Sequence, residues 1–421
     1  MSTIKPFKAV YYNLDKVKEI AKVVSPPYDV ISPKEQIDFH NLSPYNFTHI
    51  DFGADKPNDN STNNKYTRAK SIFEDWLSKK VMLEDTKPSI YFYKQEFKMW
   101  GGQQSRLGFV ALMKLPDENV SRIFPHENTH SKAIDDRLKL TKTLDSNLSS
   151  IFVCYSDKQK KVEKIFMKHA LSQKPLLEVE DRDNIRHKVW RLDDPGLIEE
   201  INSSLHNEHL FIADGHHRYQ VALEFRRFKT NQKVKSTGEE PFNYVMTYFT
   251  NIDSRDLLIL PMHRIVKHFP VHFESLEENF RMDKMRNKDE IVIPLAKAGV
   301  NEHAFGLYTR DGIRLLRLKN KSLIDQVVKE GSHDYKALDA TILKYFVFDP
   351  LGIKSEDIIY TKDFNEVTDM VDNHQADAGF VMNPVKISQL KAIALNGERM
   401  PPKTTYFYPK VLSGLTVYKM E

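Results

Sequence analysis

The sequence predicts a mixed α/β protein: a mixed β-sheet with helices packed on it, followed by a C-terminal α+β region. Three observations lead there. Short apolar runs rich in β-branched and aromatic residues alternate with amphipathic helical segments through about residue 250. At 421 residues the chain is long for a single core, so two domains are expected. From about residue 270 the composition turns to charged helices and short strands. These place a boundary near residue 265, giving a first domain over 1–265 and a C-terminal α+β domain over 266–421.

Taken in order, residues 1–12 read as a strand and Leu14–Val24 as a short helix. Ser25-Pro-Pro-Tyr-Asp-Val-Ile-Ser32-Pro33 follows, two prolines fixing an extended loop that carries Tyr28 and Asp29, with Ser32-Pro33 marking a helix start. Phe47–Asp51 reads as a strand after the Asn41–Asn46 loop. Tyr66, Ala69, Ile72, Phe73, Trp76 and Leu77 share one helical face, which reads as core. Ser89–Met99 and Leu107–Leu115 are strands, with Gly101-Gly102 in the hairpin connection. A helix is expected over Ala133–Leu144 and a buried strand around Ile151–Tyr155. Asn231–Pro241 reads as a polar loop, Phe242–Thr250 and Asp256–Pro261 as strands, and the charge-mixed Phe280–Glu290 as solvated surface. Three prolines stiffen the tail around Arg399–Lys410, which looks built to dock.

Composition narrows the function. Hydrophobic content of 40% and charged content of 29% describe an ordinary globular chain. With 62 basic against 58 acidic residues, the balance is too even to imply a nucleic-acid or membrane surface. No apolar run approaches the roughly 20 residues of a membrane span, and the first residues lack the apolar stretch of a secretory signal. The single cysteine, Cys154, excludes an internal disulfide. A cytoplasmic protein is expected; the oligomeric state is not set by the sequence.

The densest chemistry lies at Phe211-Ile-Ala-Asp214-Gly215-His216-His217-Arg218-Tyr219. It reads as a strand, a tight turn at Gly215 and a helix, so that two imidazoles, a guanidinium and the N–H groups of a helix start meet at one point. Such a point attracts anions, phosphate above all. A capped helix start with partly exposed rings is the plainer reading. A second polar stretch, Pro125-His126-Glu127-Asn-Thr129-His130, satisfies H-E-x-x-H. In zinc hydrolases that pattern lies on a helix with the glutamate as base. Pro125 and the weak helix formers Asn128 and Thr129 argue against such a helix, and no third ligand stands at a recognisable spacing. Neither glycine-rich nucleotide signature is present, which leaves phosphate binding to the Asp214–Arg218 turn and to basic residues such as Arg137 and Lys403.

Ser25–Ser32, Pro125-His-Glu-x-Thr129, Asp136-Arg137-Leu138, Asn147, Ala213–Tyr219 and Met400–Lys410 occur in this order over nearly the full chain. The set resembles the family labelled domain of unknown function 1015. That resemblance implies a free L-serine kinase that takes pyrophosphate as donor, requires Mg²⁺, releases O-phospho-L-serine and phosphate, and feeds serine and cysteine metabolism. The Asp-Gly-His-His-Arg turn is similar to that of the ParB/sulfiredoxin-like superfamily, which includes ADP- and ATP-dependent serine kinases and non-catalytic modules that recognise DNA or a nucleotide. It implies a catalytic core of that type, with the 400–410 tail docked back on the active site.

Carried over, the resemblance gives Asp214, Gly215, His216, His217 and Arg218 the phosphates, with Arg137 a further basic residue for them. Glu127 becomes the base or a metal-side carboxylate, with His126 and Thr129 beside it; by their chemistry Glu127 and Asp214 are the candidates for metal contact. Lys403 and Thr404 reach in from the tail; family members often carry serine at the latter position, and a hydroxyl is kept. Tyr28, Asp29 and Arg137 are the candidates for the amino and carboxyl groups of serine, and Thr129, Asp136 and Asn147 also fall to the substrate side. An ADP- or ATP-dependent serine kinase is the alternative, and a zinc hydrolase through His126, Glu127 and His130 a more distant one.

Overall fold

The computed structural model describes residues 3–116, 122–232, 237–270 and 273–420. The chain divides into two compact units. The first comprises Met1–Phe124, Thr129–Leu257 and Pro409–Glu421; the second comprises Pro125–Asn128 and Leu258–Tyr408.

The first unit contains the mixed sheet that the alternating pattern predicts. Its strands run in the order Ile123–Phe124, Leu210–Asp214, Ile151–Tyr155, Tyr244–Asn251, Gly102–Lys114, Ile90–Met99, Arg186–Leu192 and Leu177–Glu180, with Ile4–Lys5 also paired on Gly102–Lys114. Tyr244–Asn251 is buried at every position but the last, which is why it reads as a continuous apolar run rather than an alternation. Phe109 stacks on Phe249 across the sheet at 5.1 Å, and Phe92 meets Phe109 edge-on. Gly108 is required there, because a Cβ would collide with the Phe249 carbonyl and the Tyr248 ring. The helices Ser131–Leu144 and His216–Asn231 pack against each other. A four-stranded sheet joins Met82–Glu84, Ala9–Tyr12, Val417–Lys419 and Ser146–Asn147.

The second unit is built on a six-stranded sheet of antiparallel neighbours: Phe280–Lys284, Gly312–Leu318, Ala304–Thr309, Ala378–Val381, His263–Val266 and Ile358–Thr361. Two apolar clusters stabilise it. Phe305, Phe346 and Phe380 belong to one, and Ile265, Leu315 and Val367 to the other. Leu258–Leu260 pairs separately with Tyr406–Tyr408.

Several local expectations are corrected. The described part of the strand expected over 1–12 is two strands in different sheets, Ile4–Lys5 and Ala9–Tyr12, separated by Pro6-Phe7-Lys8, where Phe7 makes an isolated bridge to Ser89; residues 1 and 2 lie outside the described residues. Leu14–Val24 is not a helix beyond a single 3-10 turn at Ile20–Lys22. Asn13 turns the chain there, and the Val23 carbonyl accepts from Phe47 N instead of extending a helix. Phe47–Asp51 is not a strand either: Thr48–Asp51 is a helical turn. Asn46 Oδ1 accepts from Thr48 N and its hydroxyl, while Phe47 and Ile50 bury completely on one face. The hairpin turn is Trp100-Gly101, both at positive φ, and Gly102 opens the second strand. Part of Phe280–Glu290 is a strand paired with Gly312–Leu318, despite its exposed charges. In the polar loop expected from Asn231, positions 233–236 lie outside the described residues.

Candidate active site

The Leu210–Asp214 strand ends where Gly215 takes φ +85°, a left-handed conformation that costs glycine little. The glycine does a second thing. A Cβ there would sit 3.0 Å from the Arg218 guanidinium, so its absence leaves the room into which Arg218 folds back. The His216–Asn231 helix starts at once, and its N-cap, Gly215, has no side chain with which to cap it. A helix start carries the positive end of the helix dipole.

Arg218 Nη2 donates to Asp214 Oδ2 at 2.9 Å, and its Nη1 donates to the Ser150 carbonyl. Lys410 Nζ reaches the other Asp214 oxygen, also at 2.9 Å. The tail is held in place for this by the large sheet. Gln95 Nε2 donates to the Lys410 carbonyl at 2.8 Å, and the fully buried Arg106 donates to the Pro409 carbonyl. Burial pushes the Asp214 carboxyl up, but Lys410 and then Arg218 outweigh it and hold the group well below the usual carboxylate range. Asp214 is therefore an ion with a cation on each oxygen. His217 Nε2 accepts from His130 N at 3.0 Å, so its proton sits on Nδ1 and only that nitrogen can donate to a ligand.

Beside the turn, Tyr28 follows Pro26-Pro27 in a 3-10 turn and lays its ring on Arg137, 4.2 Å from the guanidinium carbon. Arg137 Nη1 donates to the Asp51 carbonyl and lies 3.5 Å from Asp51 Oδ1. Its Nη2 meets Asp136 Oδ2 at 2.6 Å. Asp136 also takes Lys65 at 2.9 Å and the Tyr66 hydroxyl at 2.8 Å. Burial raises its carboxyl, but Arg137, Lys65 and Tyr66 overcome that and set it at about 2. Asp136 thus positions Arg137. For Asp51, burial dominates and raises the carboxyl, with Arg137 and Arg218 pulling against it. Burial lowers the Arg218 guanidinium, but Asp29 first and Asp214 next raise it above its ordinary value.

A cavity of about 40 Å³ lies here, with Tyr28, Asp51, Arg137, Asn147 and Arg218 in its wall. Asn147 Oδ1 accepts from Met246 N at 2.9 Å, a side-chain link from the Ser146–Asn147 strand to the Tyr244–Asn251 strand. Asp29 is exposed at the surface, and Thr129 lies just before the Ser131–Leu144 helix.

In the second unit, Pro125–Asn128 is tied to the 399–405 segment. Arg399 Nη1 donates to the Pro125 carbonyl at 2.7 Å, and Met400 N to the His126 carbonyl at 2.8 Å. His126 is fully buried, its Nε2 3.1 Å from Thr405 Oγ1. That hydroxyl donates to Glu127 Oε1 at 3.5 Å, so His126 Nε2–H, Thr405 and Glu127 form a directed chain. The sequence singled out Thr404, whose buried hydroxyl instead closes a local turn on the Pro401 carbonyl; Lys403 is exposed at φ +51°.

Two metal readings meet this geometry. The 125–130 stretch is not helical, and His130 is the N-cap of the following helix, so the zinc-hydrolase pattern lacks its helix. Both Asp214 oxygens face cations, so Asp214 does not fit a metal ion as it stands. Among the described residues, no group of three or more His, Cys, Asp or Glu is placed to hold one. No described helix is long and apolar enough to cross a membrane.

Asp51 and Lys410 are the site residues the sequence reading missed. Lys410 stood inside the Met400–Lys410 motif, whereas nothing in the sequence around Asp51 distinguishes it.

No curated protein matches the chain. Among solved structures, a free serine kinase variant in complex with AMP aligns at 14% identity and TM-score 0.35, over 68% of this chain and 84% of that one. A conserved hypothetical protein from Pyrococcus furiosus aligns at 14% identity and TM-score 0.35, over 72% and 98%. C-terminally truncated SbnI from Staphylococcus aureus aligns at 12% and 0.37, over 74% and 87%. Likeness at that level carries no argument about activity. The family profile described as protein of unknown function, DUF1015, matches residues 4–341, and the chain belongs to that family.

Proposed function

We propose that the protein is a phosphotransferase that converts free L-serine to O-phospho-L-serine, with the Mg²⁺ complex of pyrophosphate as its donor substrate. The observation that carries this reading is the Asp214–Arg218 turn, where a left-handed glycine opens a 16-residue helix beside Lys410 and Arg218. Backbone N–H groups and cations at such a start favour a bound phosphate. Phosphoryl transfer asks a protein mainly for positioning, positive charge around the moving group and one proton acceptor.

In this reading His216, His217 through Nδ1, and Arg218 contact the donor, with Arg137 and Lys403 adding charge. Glu127 takes the serine hydroxyl proton, with the His126–Thr405 chain orienting it, and the tail keeps Thr404 as the turn that sets Thr405. Those roles, and the choice of serine and pyrophosphate, rest on the family resemblance. An ADP- or ATP-dependent kinase would use the same turn for a terminal phosphate. The product would enter serine and cysteine metabolism in the cytoplasm.

The test is a donor panel: purified protein with L-serine, MgCl₂ and pyrophosphate, ADP or ATP, read by ³¹P NMR. Phosphoserine with pyrophosphate is expected. Product from ADP or ATP alone would replace the donor, and no product from any of the three would end the reading.

A further inference from the structure

The cavity in the first unit confronts a ligand with both signs of charge. Asp51 is 4% exposed and Arg137 7%, and both line it together with Arg218 and Tyr28. Three of these wall residues carry a buried polar atom with no well-formed hydrogen bond: Arg218 Nε, Tyr28 Oη and Asp51 Oδ2, the Asp51 carboxyl having the Ser413 hydroxyl beside it. Buried polar atoms are rarely left so, and the exceptions mark a missing water, ion or ligand. One is an acceptor, one a donor, and the hydroxyl can be either.

The alternatives sort by charge. A simple anion would answer Arg218 Nε and Tyr28 Oη but bring negative charge up to the Asp51 carboxylate. A simple cation would answer Asp51 and face two guanidiniums. A ligand carrying both charges a few bonds apart answers all three atoms.

We propose that this cavity holds the head of an α-amino acid, its ammonium donating to Asp51 Oδ2 and its carboxylate accepting from Arg218 Nε and Tyr28 Oη. Arg137 stiffens the wall, fixed by Asp136 at 2.6 Å and by the Asp51 carbonyl. The remaining wall includes Leu140, Val221, Ala222 and Val245, apolar surface that closes the cavity around the head group. About 40 Å³ admits a group of a few heavy atoms and is far too small for a nucleotide. The inference takes L-serine as the natural occupant from the proposed function; the binding itself needs no phosphoryl transfer.

Calorimetric titration of the full chain tests it with L-serine, L-alanine, ethanolamine and 3-hydroxypropionate, each with and without Mg²⁺ and pyrophosphate. L-serine and L-alanine should bind. Ethanolamine lacks the carboxylate and 3-hydroxypropionate the ammonium, so each should bind about tenfold more weakly or worse. Asp51→Asn, checked by thermal melting, should lose about as much affinity for L-alanine. If that variant does not fold, the analogue series on the native protein decides. Three results overturn the inference: either truncated analogue binding as tightly as L-alanine, no amino acid binding in either condition, or folded Asp51→Asn binding like the native protein.

L-Alanine has no hydroxyl to phosphorylate, which separates the two claims. Alanine bound with the predicted analogue pattern, but no phosphoserine from any donor, refutes the proposed function and leaves the cavity assignment. Phosphoserine formed while Asp51→Asn leaves amino-acid binding untouched does the reverse.

Discussion

Gly215→Ala tests the turn where backbone and charge meet. Alanine at φ +85° carries a left-handed penalty of about 1–2 kcal/mol. The new Cβ, 3.0 Å from the Arg218 guanidinium, also forces that group away from Asp214. Losing a charge-assisted hydrogen bond costs about 1.5–3 kcal/mol, part of which the remaining Lys410 contact offsets. A total near 2–4 kcal/mol corresponds to a fall in Tm of about 5–15 °C for a unit of this size. Circular dichroism melting measures it, with pyrophosphate titration alongside. Gly215→Asn separates the two parts, because asparagine tolerates the left-handed region but carries the same Cβ. It should recover stability relative to alanine without restoring anion binding. Gly215→Ala that melts and binds pyrophosphate like the native protein would refute the reasoning.

Three further outcomes follow. The Asp214 carboxyl is depressed from 3.8, so its stabilisation is present above that value and is lost as pH falls through the lower folded value. Lys410→Met removes its strongest cation, so acid unfolding followed by circular dichroism should begin at higher pH; an unchanged acid midpoint would contradict this. Asp136 is held at about 2 against 3.8 unfolded, so Asp136→Asn should destabilise at neutral pH, with the gap to the native protein closing between those two values. Urea unfolding at pH 7, 3 and 2 checks it, and a gap independent of pH would remove the ionic explanation. Under the proposed function, Glu127→Gln should lower turnover by about 10²–10⁴-fold while melting and pyrophosphate affinity stay native. Native turnover would show that another group takes the proton.

What the sequence made legible was local. Gly215 between an apolar strand and an amphipathic helix needs no distant residue to define it, and the turn is where the pattern puts it. The mixed sheet followed from alternating runs whose burial is repeated along each strand. Phe47–Asp51 was ambiguous because five residues can satisfy either period, and the Asn46 cap decides for the helical turn. That misreading hid Asp51, which a strand would have left as one polar position among others. Lys403 and Lys410 look alike in the tail; Gln95 and Arg106, some three hundred residues upstream, decide which lysine meets Asp214.

The tail also bears on how the site is made. Lys410 meets Asp214 across 196 positions, and Val417–Lys419 joins a sheet whose other strands begin at Ala9, Met82 and Ser146. Closing loops of that length costs entropy before any contact compensates, so such pairings form late. The turn and its helix, by contrast, need only neighbouring residues. That order predicts an interval during refolding in which Asp214 has its arginine but not its lysine. In that interval the carboxylate titrates at a higher pH than in the finished protein, which makes the half-assembled chain the acid-sensitive species.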